Sequence, residues 1–183
     1  MPEYKRIKIA GGTYFFTVNS YKRKPLLTLD IVRQGLRDAV IKTRKELPFK
    51  IDAWVLLPDH LHTIWTLPPE DANFAARWAM IKQYTSKFCR DLVECNDNMG
   101  DSKVLRNELS LWQRRFWEHL IRDDDDYKKH FDYVHWNPLK HGYVTRVIDW
   151  PYSTFHRFVA QEIYPSDWGE CDVEIFKGLK FGE

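Results

Sequence analysis

Between Phe49 and Leu67 the chain holds two runs of apolar, β-branched and aromatic residues, FKIDAWVLL and LHTIWTL, separated by Pro58-Asp59-His60. A break this short joins two strands only as a hairpin, with proline and aspartate supplying the turn chemistry. A lone hairpin cannot bury its own apolar face, so the rest of the chain has to supply further strands and a covering layer.

Thr13 to Asn19 (TYFFTVN) follows Gly11-Gly12 and reads as another strand. From Thr28 to Leu47 the apolar positions Val32, Leu36, Ala39, Val40 and Leu47 fall at helical spacing, with Pro48 as the stop. Phe74, Trp78, Ile81, Thr85, Phe88 and Leu92 mark one face of a second helix, with Arg77, Lys82, Lys87 and Arg90 off it. Asn96 to Asp101 is expected as a loop and Leu111 to Ile121 as a strand. A helix then begins at Asp123, its acidic first turn suiting the positive end of the helix dipole. The order βαββαβ predicts an α+β fold, a ferredoxin-like antiparallel sheet with helices against it. A C-terminal extension, with one short helix within Tyr152 to Gln161, is expected to be helical or irregular. Residues 1–160 are expected as one domain and 161–183 as an acidic tail.

The chain has 183 residues, enough for one domain with a real core. With 44% hydrophobic and 30% charged residues and no apolar run near ~20, disorder and membrane-spanning helices are excluded as readings. The first ten residues lack the continuous apolar stretch of a secretory signal. Cys89, Cys95 and Cys171 are odd in number and widely spaced, which predicts reduced thiols rather than a disulfide framework. A cytoplasmic location is expected. The overall charge of +2 conceals an asymmetry. Residues 1–50 carry twelve Lys/Arg against four Asp/Glu, and residues 161–183 carry two against six. A basic first quarter suits a polyanion, since clustered cations gain affinity by releasing counterions from a phosphate backbone; it is equally what a solvated helix face looks like.

Two constellations could carry chemistry. In a strand, residues two apart share a face, so His60 and His62 present two imidazoles side by side. Such a pair suits a metal that has at least one more protein ligand, and it would also serve as two half-exposed hairpin histidines. On the helix after Asp123, His130, Tyr133 and Asn137 form a stripe beside the apolar stripe Tyr127, Phe131 and Val134. Tyr133 and Asn137 then stack one turn apart, so that an amide oxygen could complete a metal site beneath a hydroxyl. The alternative is a core tyrosine and an asparagine that ends the helix before Pro138.

Three motifs in order carry a resemblance: WVLLPDHLH from Trp54 to His62, WQRRFWEH from Trp112 to His119, and YVHWNPLKHG from Tyr133 to Gly142. Together they resemble the REP-associated tyrosine transposases, single-tyrosine HUH transposases of bacteria, over about Gly12 to Phe158. The resemblance implies that His60 and His62 are metal ligands with Leu61 between them, that Asn137 is the third, and that Tyr133 is the nucleophile. It also implies Mg²⁺ or Mn²⁺ as cofactor, with single-stranded or hairpin DNA of repetitive extragenic palindromes (REPs) as partner. The expected activity is cleavage and rejoining of single strands through a 5′-phosphotyrosine, in a nucleoid-associated protein of the bacterial cytoplasm. Gln, Arg and aromatic residues suit bases and phosphates, which makes Arg114 and Arg115 candidate DNA contacts. Lys82, Lys87 and the cluster Lys22, Arg23, Lys24 are candidates for the phosphate backbone. His130 is a candidate proton acceptor for Tyr133 or an exposed helix histidine. A non-catalytic DNA-binding module is the competing reading, and a phosphoesterase built on two H-x-T/S motifs lacks its second motif.

Overall fold

The computed structural model describes residues 7–90 and 111–169. Its elements are β1 (Thr13–Asn19), α1 (Asp30–Glu46), β2 (Lys50–Leu56), β3 (His60–Thr66), α2 (Phe74–Phe88), β4 (Trp117–Leu120), α3 (Asp124–Lys140) and α4 (Phe155–Ala160). The strands form one antiparallel sheet in the order β2-β3-β1-β4. With α1 and α2 packed on each other, this is the expected ferredoxin-like α+β arrangement. Leu92, the loop expected at Asn96 to Asp101, Cys95, Cys171 and most of the acidic tail lie outside the described residues. Among the described residues no helix is long and apolar enough to cross a membrane.

Strand alternation sorts the core into two layers. Tyr14, Phe16, Val18, Leu61 and Trp65 face α1 and α2, while Phe15, Ala53, Val55 and Ile64 face α3 and α4. Because β1 is interior in the sheet and covered on both faces, its burial is nearly continuous, which is why TYFFTVN shows no polar alternation. In the first layer Trp65 stacks on Trp78 at 4.2 Å between ring centroids and meets Phe49 at the same separation. Trp65→Ala empties a fully buried position among rings, so a loss of about 3–5 kcal/mol is expected, measurable by urea unfolding. A loss below about 1 kcal/mol, the size of a typical surface change, would contradict this packing.

Two expectations need correction. The strand foreseen from Leu111 to Ile121 is only Trp117–Leu120; before it, Trp112 makes an isolated bridge to Ser20. Lys82 Nζ donates to the carbonyls of Gln113, at 2.8 Å, and Arg114, while Tyr21 N–H donates to Leu111 O and Gln113 N–H to Asn19 O, so backbone pairing stops after one bridge. Second, α3 does not stop at Asn137 but runs through Pro138 to Lys140. Proline removes only one helical N–H, and the ring of Pro138 is itself buried, so packing outweighs the local preference. Tyr164 and Trp168 pack on each other at 4.5 Å and join the layer of Phe131 and Phe155.

The exposed edge of β2 is covered by the segment leading into α4, where Val55 bridges Ser153 and Thr154 N–H donates to Trp54 O at 2.9 Å. The open end of α3 is closed by Asp123, whose carboxylate accepts from Asp126 N–H at 2.8 Å. This cap fixes the start of the helix that crosses the second sheet face.

Candidate active site

His60 and His62 lie on the sheet face that α3 covers, beside Thr17 and Asn19 of β1. Their rings are 4.8 Å apart and nearly perpendicular. Both side chains are fully buried, so they are not the half-exposed hairpin residues that sequence also allowed. Each is oriented through Nδ1. His60 Nδ1 meets Asp59 Oδ1 at 2.7 Å, and the other Asp59 oxygen pairs with Arg23 Nε at 2.9 Å. His62 Nδ1 meets Thr17 Oγ1 at 2.9 Å. In both rings Nδ1 is engaged, which leaves Nε2 as the nitrogen that could ligate a metal; a hydrogen bond on the other ring nitrogen is the usual way such a ring is oriented. Burial first, then the charges of His60, Lys140, His141 and Arg23, hold His62 well below the usual histidine range, so it is a neutral imidazole.

From the other side, α3 delivers Tyr133 and Asn137 one turn apart on one stripe, both fully buried. The Tyr133 ring lies edge-on to His62 at 5.4 Å, with Phe15 packed beside both. His60 Nε2 and both amide atoms of Asn137 are buried with no hydrogen-bond partner. Leaving such atoms unsatisfied costs about 1–3 kcal/mol each, and a bound ion would take the lone pairs of His60 Nε2 and the Asn137 amide oxygen. The residues fit a metal: two imidazoles and one amide oxygen. Indole nitrogens of Trp65 and Trp78 are also unsatisfied, in the apolar layer on the opposite sheet face, as is His135 Nδ1 on α3.

Two further residues at this site were not found from the sequence. Asp59 reads there as a turn former, and its second role shows only once Arg23 and His60 flank it. Lys140 Nζ donates to Tyr133 Oη at 2.9 Å and lies 4.7 Å from the ring centroid. At seven residues from Tyr133 it shares the same stripe only because the helix continues beyond Pro138.

His130 is placed differently. It is buried, its Nδ1 contacts the Asp126 carbonyl at 2.8 Å, and its ring lies nearly parallel to His119 at 4.5 Å. His119, Asp126 and His130 have the composition of a metal site. However, rings inclined by only 15° cannot aim in-plane lone pairs at one ion, and Asp126 already bonds both histidines.

The DNA-contact candidates separate by exposure. Arg114, Arg115, Lys22 and Lys87 are exposed and Lys24 is half-buried. Arg23 is committed to Asn19 and Asp59, and Lys82 to the carbonyls of Gln113 and Arg114.

The fold and these residues define a class: a ferredoxin-like sheet domain that buries two strand histidines against a helix bearing a tyrosine. No protein-family model matches the chain. A REP-associated tyrosine transposase of Escherichia coli is 48% identical over 168 residues, covering 92% of this chain and 91% of its own. A protein of Haemophilus influenzae is 45% identical over 170 residues, covering 92% of this chain and 94% of its own. Among solved structures, a REP-associated tyrosine transposase bound to a REP hairpin superposes with a TM-score of 0.75 at 48% identity, covering 92% of each chain. The chain belongs to the REP-associated tyrosine transposases, a family of DNA-processing enzymes.

Proposed function

We propose that this enzyme cleaves and rejoins single-stranded DNA beside REP-type hairpins, with Tyr133 as nucleophile and a divalent ion held by His60, His62 and Asn137. The observations that carry the reading are the Tyr133 ring set against His62 by the helix that covers the histidine face of the sheet, and the burial of His60 Nε2 and the Asn137 amide without hydrogen-bond partners. A binding module without chemistry has no use for that arrangement. The hairpin comes from the solved relative, whose partner is a REP hairpin. A nucleoid location is part of the same proposal, since that is where such a substrate would be met.

The ion, when bound, neutralises charge on the scissile phosphate and orients it. An amide oxygen and a phosphate favour Mg²⁺ or Mn²⁺, whereas two imidazoles alone would also accept zinc. The rest is done by the chain. Asp59 and Thr17 hold the two imidazoles, and α3 fixes Tyr133 against Phe15 and His62. Attack forms a Tyr133 Oη–phosphorus bond and breaks the bond from phosphorus to O3′. The phenolic proton is lost and O3′ gains one, so the products are a 5′-phosphotyrosine and a free 3′-hydroxyl. Bond energy is kept in the phosphoester, which lets the 3′-hydroxyl reverse the step and rejoin a strand.

Exposed Arg114, Arg115, Lys22 and Lys87, with Lys24, are proposed to meet the DNA. A hairpin-bearing single strand should therefore bind better than random duplex, with log affinity falling linearly in log salt. Competition binding across a salt series checks this, and equal affinity for duplex would contradict it. Cleavage of the same labelled strand should require Mg²⁺ or Mn²⁺. Undiminished cleavage in EDTA would overturn the metal assignment.

A further inference from the structure

Tyr133 is fully buried, yet a nucleophile has to meet a phosphate, and the group lying across its oxygen is a cation. We propose that Lys140 holds the nucleophile ready: its ammonium anchors the Tyr133 hydroxyl before DNA arrives and then also takes a non-bridging oxygen of the scissile phosphate. This deepens the reading of Tyr133 given above and rests on it.

The placement is specific. Lys140 Nζ is 2.9 Å from Oη and 4.7 Å from the ring centroid, so the side chain crosses the ring to reach its oxygen. Lys140 is half-buried at the last turn of α3, and the following residues His141 to Tyr143 are exposed, His141 with its ring 5.1 Å from that of His60, so this end of the helix is where the buried site meets the surface. A helix that ended before Pro138, as local preference favours, would carry no residue at this position. The continuation through a buried proline therefore has a chemical consequence.

An ammonium has three donors around one compact charge, so one N–H can stay on Oη while another turns to a phosphate oxygen. A neutral donor would fix the hydroxyl but would not attract the phosphate. Holding nucleophile and phosphate with one group brings the reacting atoms together, and the cation opposes the charge that builds on the phosphate during attack. Lys140 remains an ammonium throughout, and the bonds made and broken are those already given.

The test compares the full-length wild type with Lys140→Met, Lys140→Gln and Lys140→Arg on a hairpin-bearing single strand in Mg²⁺. Single-turnover formation of the covalent adduct, equilibrium binding and thermal midpoint are measured. Lys140→Met and Lys140→Gln should slow adduct formation roughly 100-fold, the scale for losing one charge-stabilising donor. Hairpin affinity should fall by no more than one phosphate contact accounts for. Lys140→Arg should recover part of the rate. Replacing a non-bridging oxygen of the scissile phosphate by sulfur should slow the wild type and add little in Lys140→Gln, a signature that a merely structural lysine would not produce. Wild-type rates in a folded Lys140→Gln protein, or an equal sulfur effect in both proteins, would overturn the proposal while leaving Tyr133 as nucleophile. A wild type that forms no adduct on Tyr133 would overturn both.

Discussion

A Tyr133→Phe protein is expected to fold, to bind metal and hairpin DNA, and to form no covalent adduct. The substitution removes one oxygen and keeps the ring that packs against Phe15 and His62. Losing the hydrogen bond from Lys140 should cost about 1 kcal/mol of stability. Cleavage should fall by at least about 10⁴-fold, because phenylalanine offers no nucleophile and loss of a nucleophile is among the largest single-residue effects in catalysis. Single-turnover cleavage with parallel binding measurements checks the separation. If binding vanished together with cleavage, Tyr133 would be a structural or DNA-contact residue instead.

His60→Ala and His62→Ala should abolish cleavage by a different route, through lost metal affinity. Each also truncates a fully buried ring, so some loss of stability is expected and has to be measured alongside by urea unfolding. Titration with Mn²⁺ should show binding lost in both variants, and weakened less in Asn137→Ala, since an amide oxygen is the poorer ligand. Asp59→Asn leaves all three ligands in place but takes the charge from the carboxylate that orients His60 and pairs with Arg23. Its metal affinity should drop about 10–100-fold, the usual consequence of disturbing an outer-shell partner. Unchanged Mn²⁺ binding in folded His60→Ala would exclude the proposed site.

These experiments bear on residues that the sequence reveals unevenly. The hairpin, its same-face histidines and the Tyr133–Asn137 stripe follow from periodicity, because strands repeat every two residues and helices every 3.6. The ferredoxin-like class followed from the succession of elements, whereas the order of the strands in the sheet comes from the structure. What could not be read depends on tertiary contact. The run Leu111 to Phe116 has the composition of a strand, but after the bridge at Trp112 the carbonyls of Gln113 and Arg114 go to Lys82. Pro138 reads as a stop, but burial of its ring carries α3 onward and brings Lys140 back over Tyr133. Arg23 belongs by composition to a basic cluster for DNA, and only the fold reveals its pairing with Asp59.

The same contrast explains His130. On a helical wheel it shares the stripe of Tyr133 and looks available for proton transfer. In the folded chain it is buried beside His119 and engaged with Asp126, three residues before the nucleophile. A wheel gives directions around an axis but not what the neighbouring strand places there, and β4 places His119.

The central claim is that Tyr133 itself becomes covalently joined to DNA. Full-length protein is incubated with a hairpin-bearing single strand and Mg²⁺ or Mn²⁺, the adduct is digested, and mass spectrometry locates the nucleotide on the peptide. The expected result is a 5′-phosphate on Tyr133 with a free 3′-hydroxyl on the released fragment. A strand that is nicked with no nucleotide on any tyrosine would contradict it, and would point to a water-using nuclease built on His60 and His62.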